Sequence, residues 1–384
     1  MDATDIRESR KRRFPVVTYF DAVNEALERL DDLGYERGDR NELVNHGPMA
    51  SEVLATLGHG DQIGTWVEVY RAKPHHDRPA PFLPLDASDE GSWRSALGDF
   101  SRAGDWEQLF FRELTDAPWR DVLVRWWPRL ISGLLAGITH GAIRTAHAVR
   151  SLSGTPQPSR AQLTELARGL AYWAARYRTL PGEADFRGKA DLAQAVADIP
   201  REQLAAFLAP PKARVISRDR LDRISEIPGY TEALHAVAPK DPQLLLSEMT
   251  AEFAGLYLVH TEIYPIPLLH GVTLPAAVRI VLPHLPPAMR LPTVAAVWQL
   301  HVALLLSFTG GRRGEDTARE AALETEVPPF GELIARAVEH KDEHVIKFTE
   351  ACLRENGLRP DPRYAAAVQA AQARIPTPES GLIP

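Results

Sequence analysis

The chain of 384 residues contains a single cysteine, Cys352, and has no surplus of positive charge. One cysteine excludes an intrachain disulfide and agrees with a reducing environment, so we expect a cytoplasmic protein. The formal net charge of -7 argues against broad binding to nucleic acid or to anionic membranes. The one basic cluster, Arg7 to Arg13, is short, and we interpret residues 1–14 as a solvated basic arm.

Long hydrophobic runs are also missing. The N-terminus has no apolar stretch behind its basic residues, so it lacks the pattern of a secretory signal. The most apolar segment, Val294 to Phe308, contains Gln299 and His301 and is too short to span a bilayer comfortably. We interpret it as a buried helix, and we expect no membrane partner.

The common catalytic and nucleotide-binding motifs are absent from the sequence. No GxGxxG follows a strand pattern, which argues against a flavin or nicotinamide bound in the Rossmann manner. GxxxxGK[ST], HExxH and GxSxG are absent too. A di-iron bundle needs two Glu-x-x-His elements with further glutamates, and only Glu232 to His235 has that spacing.

Helical periodicity dominates the chain, without an alternating strand series or a repeat of fixed period. We therefore predict an all-α, large multi-helix single-domain fold over residues 15–375, followed by a flexible tail, 376–384. The main predicted helices are 18–33, 129–152, 161–178, 241–260, 294–308, 329–356 and 362–374.

Three glycines lie four residues apart in the long helix that is predicted from Arg129 to Leu152: Gly133, Gly137 and Gly141. Each interior glycine costs about 1 kcal/mol relative to alanine. Their register therefore predicts close packing against another helix or a flat ligand, with nearby tryptophans as core residues or as walls of a slot.

Histidines in apolar, helix-like contexts form the best candidate site. His46 precedes a helix start, His140 lies in the glycine-containing helix, His270 follows a proline break and His344 lies in a late helix. Neutral imidazole suits iron, zinc, copper or nickel, so their convergence would create a buried metal site between helices. Spacing alone does not show convergence, and a lone histidine is more often a hydrogen-bonded structural residue.

The segment from His340 to Lys347 adds a lysine to this set. On a continuous helix, His340, His344 and Lys347 share one face. Four imidazoles bring no negative charge to a divalent cation in a low-dielectric core. A buried lysine loses its proton more easily, and its free amine can take up carbon dioxide to give a carbamate that ligates like a carboxylate. Taken alone, Lys347 also fits a helix lysine that reaches solvent, and His340 remains an alternative ligand to His344.

Four segments together resemble the questin oxidase-like family, and the resemblance covers about Val16 to Ala373. The segments are Asn45-His46-Gly-Pro-Met-Ala, Thr139-His140-Gly-Ala-Ile-Arg-Thr-Ala-His147, Leu269-His270-Gly-Val-Thr and Asp342-Glu-His344-Val-Ile-Lys347. The family includes fungal enzymes that oxidatively cleave anthraquinone-type polyketide rings.

The resemblance implies a flavin-independent oxygenase that acts with dioxygen on an aromatic polyketide or phenolic molecule, by ring cleavage or Baeyer–Villiger-type oxygen insertion. It implies non-haem Fe(II) held by four histidines and a carboxylated lysine; NADPH, which has also been invoked for the family, stays open. Carried over by motif, the metal ligands are His46, His140, His270, His344 and Lys347, with His147 and His301 as substrate-facing residues or proton carriers. Fungal members have His-Pro-Leu-Ile-His where this chain has His140-Gly-Ala-Ile-Arg144, so the surroundings of the metal are expected to differ.

Two other functions remain open at this stage. The first is a non-catalytic helical scaffold or small-molecule-binding protein, in which the histidines are structural. The second is a zinc hydrolase that uses the same histidine cluster. The sequence does not fix the oligomeric state.

Overall fold

The computed structural model describes residues 18–38, 43–203 and 221–378. Within these residues the prediction of an all-α single domain with a buried histidine cluster is confirmed: 17 α-helices form one domain, and the only strands form a short antiparallel pair. The predicted basic arm, 1–14, and residues 379–384 of the predicted tail lie outside the described residues. The domain boundaries stay a prediction.

The helices have the following bounds: α1 Tyr19–Arg29, α2 Gly47–Thr56, α3 Ile63–Arg71, α4 Glu90–Arg94, α5 Ala103–Asp116, α6 Trp119–Leu130, α7 His140–Ser153, α8 Arg160–Ala175, α9 Leu192–Ala197, α10 Tyr230–Leu234, α11 Pro242–Val259, α12 Pro265–Val281, α13 Pro287–Phe308, α14 Glu315–Leu323, α15 Phe330–His340, α16 Glu343–Leu358 and α17 Pro362–Arg374. The strands are β1 Glu36–Arg37 and β2 Leu43–Val44, with Glu36 opposite Val44.

Local sequence sets most of the helix starts. The side chains of Thr18, Ser159, Asp241 and Asp342 accept hydrogen bonds from the free backbone N–H groups at the starts of α1, α8, α11 and α16. Proline, which needs no donor in the first turn, opens several other helices. One of the first two positions is proline in α2, α11, α12, α13 and α17.

The prediction of one long helix from Arg129 to Leu152 is wrong. Helix α6 ends at Leu130, a 3₁₀ turn follows, and α7 begins only at His140. Three consecutive residues before His140 have left-handed backbone: φ is 54° at Gly137, 51° at Ile138 and 71° at Thr139. This conformation costs non-glycine residues roughly 1–2 kcal/mol each, and nothing in the helical periodicity signals it.

The three spaced glycines do make close contacts, but with aromatic residues and not with a ligand slot. A Cβ atom added at any of them would lie within 3 Å of an aromatic side chain from α8 or the turn after it. The pairs are Gly133 with Tyr177, Gly137 with Tyr172 and Gly141 with Trp173. The tryptophans of α6 are buried in the core as well. The prediction of close packing against another helix is therefore correct, and the alternative of a ligand slot shaped by the glycines is wrong.

The predicted helix 329–356 is also two helices. Lys341 has a left-handed φ of 63°, so α15 ends at His340 and α16 begins at Glu343 with Asp342 as its cap. The break turns His340 and His344 onto different helices, and the prediction that they share a face is wrong.

The apolar core surrounds α11, α12 and α13. The segment Pro265–His284 and helix α13 are long and apolar enough to cross a membrane by length and composition, but 83% and 78% of their most apolar windows are buried inside the protein. They are core helices, as the sequence predicted for Val294 to Phe308. Helix α12 packs against α7 and α16, and α2 packs against the same two helices. These four helices enclose the candidate site.

Candidate metal centre

Four histidines and one lysine from α7, α12, α16 and the start of α2 meet in the protein interior. The ring centroid of His46 lies 4.5 Å from those of His140 and His344, and the centroids of His140 and His270 are 4.7 Å apart. One ring nitrogen from each of His46, His140 and His344 lies within 4.8 Å of the corresponding nitrogens of the other two. All of these rings are buried. The structure thus brings together the four histidines that sequence analysis selected.

The start of α2 fixes His46. The Tyr70 hydroxyl accepts a hydrogen bond from the His46 backbone N–H at 2.7 Å and donates to Asn45 Oδ1 at 3.1 Å. Asn45 Oδ1 also accepts from the Gly47 N–H at 3.0 Å. The ring atom His46 Nδ1 is buried and has no hydrogen-bond partner. A buried imidazole nitrogen without a partner is costly, unless a ligand engages the ring.

His140 and His270 are held by backbone carbonyls. His140 Nδ1 lies 2.5 Å from Gly137 O, and His270 Nδ1 lies 2.9 Å from Ile266 O. A carbonyl only accepts, so each Nδ1 must carry the proton and, in a neutral ring, each Nε2 has a bare lone pair. The two Nε2 atoms nevertheless lie only 3.3 Å apart. Such an arrangement is repulsive unless a cation lies between them.

Helix α16 contributes His344 and Lys347, one turn apart on one face. The Asp342 carboxylate caps this helix and lies 3.3 Å from His344 Nδ1, without the alignment of a hydrogen bond. A carboxylate behind a histidine is the usual way to orient a metal ligand. Lys347 is 3% exposed, and its charge acts on His46, His140 and His270.

Burial favours the neutral form of His46, His140 and His270. Loss of solvation lowers the pKa of His46 and His140 well below the usual value, and lowers that of His270 to about 3. The neighbouring Lys347 and the other imidazoles reinforce the effect. Desolvation also lowers the pKa of Lys347 to about 8, against the opposing charges of Glu343 and Asp342. Unprotonated nitrogens are the form that binds metal ions.

The acidic residues beside the cluster are already engaged. Glu343 is fully buried and forms ion pairs with Arg37 and with Lys73, the latter at 3.0 Å. Although burial opposes ionisation, these cations hold the pKa of Glu343 below its usual range. Asp342 and Glu343 were not among the predicted site residues. The sequence signal that was available is a helix-capping aspartate directly before Glu343 and His344, which the assumption of one continuous helix obscured.

The remaining predicted site residues lie in other surroundings. His340 Nε2 lies 2.9 Å from Ile375 O, which removes it as the alternative to His344. His147 Nδ1 lies 2.8 Å from Glu52 Oε2, within a buried ion-pair network. The ring of His301 stacks on that of Phe253 at 3.8 Å, and burial lowers its pKa to about 3. The catalytic roles of His147 and His301 stay predictions.

The fold and the site define an all-helical protein with a buried nitrogen cluster, formed by His46, His140, His270, His344 and Lys347, that could hold a metal ion. A family model described as Questin oxidase-like matches residues 44–352, which include all four histidines and Lys347. The chain therefore belongs to the Questin oxidase-like family, and the predicted resemblance is confirmed. Membership points to an oxidoreductase, an oxidase or oxygenase of aromatic polyketides. No curated protein gives a significant match to the chain.

Proposed function

We propose that this protein is a flavin-independent, non-haem iron oxygenase that cleaves an aromatic polyketide ring or inserts oxygen into it. Fe(II) would be held by His46, His140, His270 and His344 together with a carboxylated Lys347. The family supports the oxidoreductase class and the substrate class. The metal, the flavin independence and the reaction type are the proposal.

The close approach of two lone pairs carries the proposal. His140 Nε2 and His270 Nε2 lie 3.3 Å apart while both Nδ1 atoms face carbonyl oxygens. Burial disfavours a shared proton, because it lowers the pKa of both rings. Two imidazole nitrogens that share one ion at about 2 Å each would lie at this separation.

Lys347 supplies the missing negative charge in this proposal. The neutral amine nitrogen attacks the carbon of CO2, and one proton leaves to water, so the carbamate carries one negative charge. The burial that lowers the lysine pKa to about 8 makes the reactive amine accessible near neutral pH. The carbamate would offset part of the charge of a divalent ion among four neutral rings.

The protein's own groups position and enclose the reaction. When bound, iron would supply a Lewis-acidic, redox-active centre for dioxygen and the ionised substrate. The Gly137 and Ile266 carbonyls fix the tautomers of His140 and His270, and Asp342 sits behind His344. The burial of every proposed ligand excludes bulk water.

Metal analysis of purified protein and of single variants tests the proposal. We expect about one iron per chain, lost at least tenfold in His270→Ala and His344→Ala. The matched control is His340→Ala, which removes a nearby histidine that bonds to Ile375 O, and it should keep its iron.

Two results would overturn the proposal. A folded protein that takes up no metal on reconstitution favours a scaffold role for the histidines. Stoichiometric zinc with hydrolytic activity, and no oxygen consumption with any quinone or phenol, favours the hydrolase.

A further inference from the structure

A large cleft is lined in part by residues close in sequence to two members of the nitrogen cluster. Its volume is about 1210 Å³, and α1, α5, α8 and residues 78–81 form its walls. The wall residues include Pro48, two positions after His46, and Arg144, one helical turn after His140 on α7. Because residues four apart on a helix share a face, Arg144 and His140 project from the same side of α7. The cleft therefore reaches two of the elements that carry the cluster.

Arg144 lines this cleft and has one donor without a hydrogen-bond partner. Its side chain is 3% exposed, with Nε 2.6 Å from Glu165 Oε1 and Nη2 2.8 Å from Glu165 Oε2. The third nitrogen, Nη1, is buried and has no hydrogen-bond partner. Among the described residues that line the cleft, it is the one buried side-chain donor in this condition. A buried, unpaired guanidinium N–H is costly, so a ligand that accepts from it gains that free energy.

The charges of the cleft limit what such a ligand can be. Basic and acidic residues are equal in number: Arg78, Arg144, Arg160 and Arg168 against Glu28, Asp31, Glu107 and Glu165. Two of these arginines, Arg78 and Arg168, are already paired with Glu107. A ligand with several phosphate groups, such as a nicotinamide dinucleotide, would find no surplus positive charge here.

The uncharged part of the lining is mainly apolar, apart from Gln108, Thr115 and Thr164, and it offers contact surface to a flat hydrocarbon frame. The apolar side chains include leucine, proline and phenylalanine from all four walls: Leu27, Leu30, Pro81, Phe111 and Leu163. Apolar surface beside a small number of charged groups allows one site to bind both a hydrocarbon frame and an ionised oxygen.

We propose that this cleft is the substrate-binding site, and that Arg144 Nη1 binds one ionised oxygen, phenolate or carboxylate, of a flat aromatic substrate. Its aromatic class rests on the proposed function. Three parts of the proposal do not depend on which metal the cluster holds. They are the location of the site, the single negative charge of the substrate and the role of Arg144.

A matched pair of probes tests the assignment. Anthraquinone-2-carboxylate and anthraquinone-2-carboxamide have nearly the same shape and differ by one charge. We expect the protein, as purified and after iron loading under anaerobic conditions, to bind the carboxylate roughly ten- to a hundredfold more tightly, as a hydrogen bond to a charged group provides. Quenching of tryptophan fluorescence measures both affinities, and the metal content of each sample is measured in parallel.

Arg144→Gln should abolish the preference for the carboxylate and change the carboxamide affinity less than threefold. Because Glu165 would lose its partner, the double variant R144Q/E165Q removes the whole ion pair and should give the same result. Arg129→Gln is the matched control, since Arg129 Nη1 is also buried and unpaired but its side chain lines a different cavity of about 360 Å³. It should keep the wild-type preference.

The cleft itself is tested by Ala161→Trp, which narrows it from α8. We expect this variant to weaken both probes at least tenfold. The assignment is wrong if the folded arginine variants keep the carboxylate preference, or if Ala161→Trp leaves both affinities unchanged. If the metal is absent while the preference behaves as expected, the proposed iron chemistry fails and the cleft assignment stands.

Discussion

Lys347 shows how burial changes the chemistry of one residue. A lysine on a helix surface is a solvated cation, but this side chain is 3% exposed and surrounded by imidazoles. Desolvation lowers its pKa to about 8 even though Glu343 and Asp342 favour the charged form. Burial therefore increases the fraction of the neutral amine, which is the form that reacts with CO2.

Carboxylation of Lys347 is expected to be visible in solution. With ¹³C-labelled bicarbonate, the iron-free protein reconstituted with a diamagnetic divalent ion should give one carbamate carbon signal. Lys347→Ala should remove the signal and most of the bound metal, and added bicarbonate with a short carboxylic acid should restore part of the metal. Lys73→Ala removes the lysine that pairs with Glu343, and it should retain the signal. Full metal content in Lys347→Ala would contradict the carbamate.

At the scale of elements, the site depends on how closely the helices approach one another. Gly271 follows His270 on α12, and a Cβ atom there would lie 1.9 Å from Phe253 Cδ1 on α11. The Phe253 ring in turn stacks on His301 of α13. A glycine next to a proposed ligand thus sets the distance between three core helices.

Gly271→Ala is expected to push α12 away from α11 and to move His270. Overpacking of this kind costs about 1–3 kcal/mol, and metal content should fall as well. Gly331→Ala is the control, because Gly331 is also helical but has open space around it. That substitution should be neutral or stabilise by less than about 1 kcal/mol. Urea denaturation of both variants measures the difference, and equal stabilities would contradict the packing argument.

At the scale of the whole molecule, a buried ion-pair network joins the N-terminal helices to the core. Helices α1–α3 form a smaller apolar cluster of their own, which Ile346 of α16 joins. Arg150 of α7 binds Glu52 of α2 at 2.7 Å and Glu350 of α16 at 2.6 Å. The network therefore connects three of the four helices that carry the nitrogen cluster.

Glu350 makes this connection sensitive to pH. Although burial opposes ionisation, Arg150 and Arg354 lower its pKa from 4.5 to about 2. Because the folded pKa is the lower one, Glu350 stabilises the protein above pH 4.5, and the contribution is lost as the pH falls toward 2.

Glu350→Gln should therefore lower the free energy of unfolding by about 3 kcal/mol at pH 7, as for a broken buried pair. The difference from wild type should shrink as the pH falls below about 4.5. The control Glu332→Gln breaks an exposed pair with Arg336, and it should cost less than about 1 kcal/mol. A difference that is independent of pH down to the acid transition would contradict the role of Glu350.

The sequence was sufficient for many of the helices but not for their breaks. Helix α17 matches the predicted range 362–374, and α11 matches 241–260 within one residue at each end. The breaks at Ile138 and Lys341 went unrecognised, because a non-glycine residue in left-handed backbone is stabilised by tertiary packing and leaves no local pattern. The predicted helix 294–308 begins earlier, at Pro287, since a proline pair can start a helix.

By itself, the sequence determined the helical class, the buried character of the long apolar helices and the selection of four histidines. These follow from periodicity, composition and short motifs, which act within a few residues. Only the tertiary structure decided that His344 and not His340 faces the cluster, and that the spaced glycines meet aromatic rings. Only it placed two bare nitrogens 3.3 Å apart. The reason is that such contacts join residues far apart in the sequence, 130 positions for His140 and His270, and packing of the whole core sets them.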